Sequence, residues 1–166
     1  MNLRDFKLAP LYTLDKEWAL VTVGDKNKYN TMTVSWGGLG TLWHKPVVTI
    51  YIRLNRYTHE LLQDQDIFTL SFYDDEYKKD LGLLGTKSGR NEDKISETKL
   101  TVDFLEKGIS FKEAKLTIIC KKIYSQKLDV NNILNDQEEI TKFYEKDPIH
   151  EMFIGEVIDI IDKRSN

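Results

Sequence analysis

Four runs rich in β-branched and aromatic residues crowd the first 73 positions, and this spacing constrains the chain more than any other feature. They are EWALVTV (17–23), NTMTVSW (30–36), VVTIYIR (47–53) and IFTLSFY (67–73), with turn-formers such as GDKNKYN (24–30) between them. Parallel strands need long crossovers, so short connections of this kind predict antiparallel sheet. Return strands are expected at AKLTIICKKIY (114–124) and EMFIGEVIDII (151–161).

Helical signals lie between and after the strands. YTHELLQDQ (57–65) carries Thr58 as an N-cap, DDEYKKDLGLLG (74–85) opens on two acids and closes on Gly85, and NEDKISETK (91–99) opens on Asn91. A fourth, 136–147, spaces Ile140, Phe143 and Tyr144 along one face before Pro148 stops it. Strands with helices inserted between them predict a mainly β fold, a small closed or nearly closed barrel with helical decoration. A doubly wound sheet is excluded, because Gly38-Leu39-Gly40 runs into Thr41, Leu42 and Trp43 with no helical pattern. GLLGTKSG fails as a phosphate-binding P-loop, since Thr86 stands where a glycine must precede the lysine.

A length of 166 residues fits one domain over 1–166. Twenty-four Lys+Arg against 27 Asp+Glu give a formal charge of −3, so no broad field attracts nucleic acid or anionic lipid, and any anion site must be local. The N-terminal MNLRDFKLAP lacks the apolar core of a secretory leader, and no segment has the length to span a bilayer; the expectation is a cytoplasmic protein. Cys120, the only cysteine, sits among strand formers and reads as a small buried hydrophobe.

Three stretches can carry chemistry. In NTMTVSWGGLG (30–40), Thr31, Thr33 and Ser35 share one parity and Met32, Val34 and Trp36 the other. The hydroxyl row is either a solvent-facing strand surface or one side of a ligand site, where Gly37, Gly38 and Gly40 let a flat molecule approach the backbone. In RLNRYTHELL (53–62), Arg53 ends a strand, Arg56 lies in a turn and Thr58 opens a helix. Both arginines are either solvated or paired with acids such as Asp64 and Asp66, or they form a phosphate site with the helix N-terminus. The third, TKSGRNEDK (86–94), is either a solvated loop or a closure over phosphate by Ser88, Gly89 and a lysine.

Other constellations fail. His44, His59 and His150 lack metal-ligand spacing, no G-x-S-x-G elbow exists, and the acids show no distinctive pairing. Trp18, Trp36 and Trp43 read by default as core or interface residues.

Taken in order, NTMTVSWGGLGTLWHKPVVTIYIRLNRYT, FTLSFYDDEYKKDLGLLGTKSGRNEDK and PIHEMFIGEVIDI resemble the flavin reductase family with the FMN-binding split β-barrel, in its flavoredoxin-like branch; residues 100–145 match only loosely. The resemblance implies a Greek-key barrel that forms a homodimer, with FMN near the subunit interface. It places Asn30, Thr31, Met32, Thr33, Ser35 and Trp36 beside the flavin, while Arg53, Thr58, Ser88, Gly89 and Lys94 hold phosphate or ribityl groups, Arg56 joining them from the second stretch. His150 is a candidate supporting group. Leu54 and Asn91 depart from the family's usual proline and aspartate. NADH or NADPH is the implied hydride donor, with no nucleic acid or membrane partner and no obligatory acid–base residue. The alternatives are an FMN carrier without turnover, and an OB-like barrel binding single-stranded nucleic acid, which the absence of a continuous basic stripe disfavours.

Overall fold

The computed structural model describes residues 3–134 and 136–164. Met1, Asn2, Asn135, Ser165 and Asn166 lie outside the described residues, so the expectations about the N-terminal leader and a unit spanning 1–166 are carried only within that range.

Seven strands form one sheet: β1 (Ala19–Gly24), β2 (Tyr29–Val34), β3 (Gly37–Leu42), β4 (Lys45–Arg53), β5 (Ile67–Phe72), β8 (Leu116–Lys127) and β9 (His150–Asp162). Their order is β2-β1-β5-β8-β9-β4-β3, antiparallel throughout. A short hairpin, β6 (Val102–Phe104) with β7 (Ile109–Phe111), stands apart. Among the described residues four α-helices accompany the strands: α1 (Pro10–Tyr12), α2 (Tyr57–Asp64), α3 (Lys78–Thr86) and α4 (Gln137–Tyr144). Among the described residues no helix is long and apolar enough to cross a membrane.

Alternation along the strands curls the sheet. On β4, Val48, Ile50 and Ile52 point into one core together with Val21 and Val23 of β1, Met32 and Val34 of β2, Phe68 and Leu70 of β5, Ile118 and Cys120 of β8, and Phe153 of β9. Strands from both ends of the order share this core, which a flat sheet does not permit. Gly155 allows a close approach inside the barrel: a Cβ there would lie 2.6 Å from Phe68 and 2.7 Å from Cys120. Register shifts beside Cys120 and Lys122 mark where β8 bends around the core.

The barrel is split. β2 and β3 lie at opposite ends of the hydrogen-bonded order, yet they are consecutive in the chain, joined by Ser35 and Trp36 alone. The two sheet edges are therefore brought side by side by a covalent link, without a ladder between them. This fixes where a cleft can open.

Several expectations are corrected. The hydroxyl row of β2 is not a solvent surface, because α3 covers it: Thr31 is fully buried, its Oγ1 2.9 Å from Thr22 Oγ1, and Thr33 Oγ1 donates to the Leu81 carbonyl. Leu81 and Leu84 of α3 pack with Leu20, Tyr73 and Phe111 in a second core, so both faces of β1 are buried. The glycine-rich run 37–42, outside the strands named from the sequence, is a further one, because pairing with β4 fixes a backbone that intrinsic propensity leaves loose. Residues 91–99 form turns, with Asp93 accepting from the Ser96 N–H at 3.3 Å; such side-chain bonds compete with helix formation. Gly85 lies inside α3, where its small size admits the Thr33 side chain. Thr58 does not cap α2: Arg56 occupies that position, and the Thr58 hydroxyl accepts from Asn30 Nδ2 at 2.8 Å.

Candidate functional site

Two recesses meet along the split. The wider, about 270 Å³, lies between the end of β2 with Ser35 and Trp36, the ends of β4 and β9, and α4. The narrower, about 150 Å³, lies between the start of α2 and the loop 86–94. Met32 and Arg56 line both, making one continuous cleft.

The strand register builds the wider part. Arg53 and His150 are cross-strand partners where β4 ends and β9 begins, and Tyr51, two residues earlier on β4, shares the outward parity of Arg53. Trp36 stands against Phe143 of α4, edge to face at 5.0 Å, and against the His150 ring at 5.0 Å. Burial, with the Arg53 charge adding to it, pushes the His150 pKa down to about 4, so this imidazole is neutral near pH 7. Its Nδ1 lies 3.1 Å from the Tyr144 hydroxyl. Arg53 Nη1 donates to the carbonyls of Phe143 at 2.9 Å and Pro148 at 3.1 Å, fastening α4 to the barrel.

The narrower part is cationic. Arg56 Nη2 donates to the Gly85 carbonyl at 2.6 Å. Lys94 is only 2% exposed; its Nζ donates to the carbonyls of Leu84 at 2.8 Å and Lys87 at 3.0 Å, at the negative end of α3. Burial, then the neighbouring Arg56, brings the Lys94 pKa down to about 8; burial, then Arg53, lowers that of Arg56. No carboxylate-bearing residue lines either recess. Like charges are thus held together beside the first turn of α2, and no acid lines the recess they share.

The loop closes on this pocket through Gly89. A Cβ at this position would stand 2.1 Å from Asn30 Oδ1, so only glycine lets the loop lie flush against β2. That contact leaves Asn30 free to hold Thr58, tying β2, α2 and the loop at one point.

Of the residues singled out in the sequence, the cleft is lined by Asn30, Met32, Thr33, Ser35, Trp36, Arg53, Arg56, Thr58, Ser88, Gly89, Lys94 and His150. Thr31 does not line it and serves the interior instead. Arg53 lines the wider recess and not the narrow cationic one. Neither arginine turns to Asp64 or Asp66; Arg53 has Asp147 at 3.8 Å. Lys87 and Arg90, two of the cations of the loop 86–94, line the cleft as well, whereas the sequence reading missed Tyr51, Asn55, Tyr57 and Phe143. The parity of VVTIYIR carries a signal for Tyr51, whereas Phe143 arrives from α4, far along the chain, and nothing local marks it.

A family model described as flavin reductase like domain matches residues 11–166. Similar solved structures include a flavoredoxin of Desulfovibrio vulgaris (Miyazaki F), 24% identical with a TM-score of 0.67 over 87% of this chain and 68% of that one. Another is an FMN-binding protein from Thermus thermophilus with bound p-hydroxybenzaldehyde, at 21% identity and TM-score 0.68 over 89% and 72%. A third is an NADH:FAD oxidoreductase of Streptomyces globisporus C-1027 in complex with NAD and FAD fragments, at 17% and 0.65 over 88% and 74%. The fold shared with these is the split barrel. No curated protein matches the chain.

Proposed function

The chain belongs to the flavin reductase like family, and on that premise we propose that it binds FMN in the split and passes electrons from NADH or NADPH through it to an acceptor. The observation that carries this reading is the uncompensated pair of cations, Arg56 and buried Lys94, in a recess with no carboxylate on its walls. A phosphate monoester supplies the missing charge.

The residues present fit the group. Arg56, Lys94, Ser88 and the first turn of α2 offer donors to a phosphate, and the flush contact of Gly89 with Asn30 shapes the recess around it. Thr33, Ser35, Trp36 and Tyr51 line a slot in which the ring system would lie. When bound, the isoalloxazine supplies hydride acceptance and one- or two-electron release. The chain's own work is to hold and shield: Trp36, Phe143 and Tyr51 exclude water, and Arg53 keeps α4 in place while contributing positive potential. Neutral His150 sets the floor beside Trp36 without adding charge.

We include dimerisation in the proposal. β3 is an edge strand with Gly37, Gly40 and Thr41 exposed, and the following turn shows Trp43 at 64% exposure, next to an apolar groove lined by Leu39, Pro46, Val47 and Val157.

Reconstitution tests the reading. Added FMN is expected to shift its visible spectrum and quench tryptophan fluorescence through Trp36, and anaerobic NADH or NADPH is expected to bleach the bound flavin. Absence of any spectral change with FMN removes the proposal; binding without bleaching reduces it to a carrier.

A further inference from the structure

We infer that the cleft is built for a flavin mononucleotide and against a dinucleotide, with the Arg90–Glu60 pair and the acids Glu92 and Asp93 as the discriminating residues. This deepens the FMN reading and rests on it.

A flavin with one phosphate ends in the narrow recess, whereas a dinucleotide must lead a second phosphate and an adenosine out of it. The recess, at about 150 Å³, is well below the space of about 300 Å³ and more that organic ligands of that bulk occupy. Its far side is strapped. Arg90, on the loop, is ion-paired through Nη2 to Glu60 Oε1 of α2, and its guanidinium lies 5.6 Å from the centre of the Tyr57 ring. The Arg90 N–H also bonds Ser88 Oγ at 3.3 Å, so strap and phosphate loop are one unit.

Beyond Gly89 lies another hollow, of about 410 Å³, sharing Asn30, Gly89, Arg90 and Lys94 with the recess. It adjoins the phosphate pocket on that side and has the volume for an adenosine. Its chemistry differs: Glu92 and Asp93 line it beside the shared Arg90 and Lys94, while the recess itself holds no acid. A second phosphate led past Arg90 and Lys94 meets like charge at Glu92 and Asp93, and the close approach of Gly89 to Asn30 narrows the passage between the two spaces. The loop that attracts one phosphate thus repels the next.

The test is a titration of flavin-free protein with FMN, FAD and riboflavin, followed by tryptophan quenching, for the native chain, Glu60→Ala, and the double variant Glu92→Gln with Asp93→Asn. The amides keep the acceptor that Asp93 offers Ser96. Native protein is expected to bind FMN at least about tenfold more tightly than FAD. An exposed ion pair contributes little, so Glu60→Ala should tighten FAD about threefold with FMN within twofold, and the double variant should do the same. Equal native affinity for FMN and FAD overturns the inference and leaves the FMN reading standing. A native preference that neither variant narrows, or variants that move both flavins together, overturns the assignment to these residues. Binding of none of the three flavins removes both the inference and the reading beneath it.

Discussion

Helix α2 separates two charged clusters that are assembled by opposite rules. On one side, His59 of α2 lies 2.6 Å, Nε2 to Oε2, from Glu151 of β9, with Gln63 Nε2 at 3.3 Å from the same oxygen; both His59 and Glu151 are buried and face a complement. On the other, Thr58 faces Arg56 and Lys94; burial, then Arg56, depresses the protonation of Lys94, and both cations donate to backbone carbonyls. A cluster that completes its own charge holds a fold together. One that keeps like charges together beside a helix start stores an affinity for something absent from the chain.

The sharpest test of that difference removes His59. His59→Leu leaves the Glu151 carboxylate buried with Gln63 and Ser125 as side-chain partners, and should cost about 3 kcal/mol in denaturant unfolding while leaving FMN affinity unchanged. A stability loss under about 0.5 kcal/mol would break the comparison on its structural side. Lys94→Met is the mirror experiment. FMN binding should weaken by about 2 kcal/mol, the size of a charge-assisted hydrogen bond, with riboflavin binding unaffected and flavin-free stability equal to or above native. Parallel weakening of both flavins would show that Lys94 only shapes the loop.

Proton linkage sharpens the comparison further. The pKa of Lys94, about 8 in the folded protein against an ordinary 10.5, means that the unfolded chain binds more protons between these values. Lys94 thus disfavours folding fully below pH 8, and this penalty fades as pH rises toward 10.5. Native protein without flavin should gain on Lys94→Met in thermal midpoint across that window. A bound phosphate raises the lysine pKa again, so FMN affinity should fall as pH climbs past 8, while Lys94→Met shows a flat profile. The smallest effect is expected at α4, which has no buried residue: Phe143→Ala should loosen FMN by less than about 1 kcal/mol and make Trp36 more accessible to iodide quenching.

Much of the barrel was legible because its strands alternate. VVTIYIR and IFTLSFY declare their inward rows, and the register of β4 against β9 follows the same parity that places Arg53 opposite His150. The site was legible where polar residues interrupt such patterns, as at Arg56, Ser88 and Lys94. It was illegible where a contact joins distant segments. The hydroxyl row of β2 has the same spacing whether water or α3 covers it, and only the Thr33–Leu81 contact decides. The turns at 91–99 carry helix-like caps and spacing, yet Lys94 is drawn into the core by the end of α3, and the backbone follows. Thr58 has the chemistry of a cap, but Asn30 claims its hydroxyl.

Sequence alone determined that this chain is antiparallel and mainly β, with its hydroxyls, arginines and glycine loop in a fixed order, because side-chain alternation and turn chemistry act between near neighbours. Tertiary structure decided that Ser35 and Trp36 bridge two unpaired sheet edges, that Lys94 is buried, and that Arg53 clasps α4. Such outcomes depend on which surfaces meet once the sheet curls, and burial changes a lysine's protonation only after its distant neighbours have excluded water.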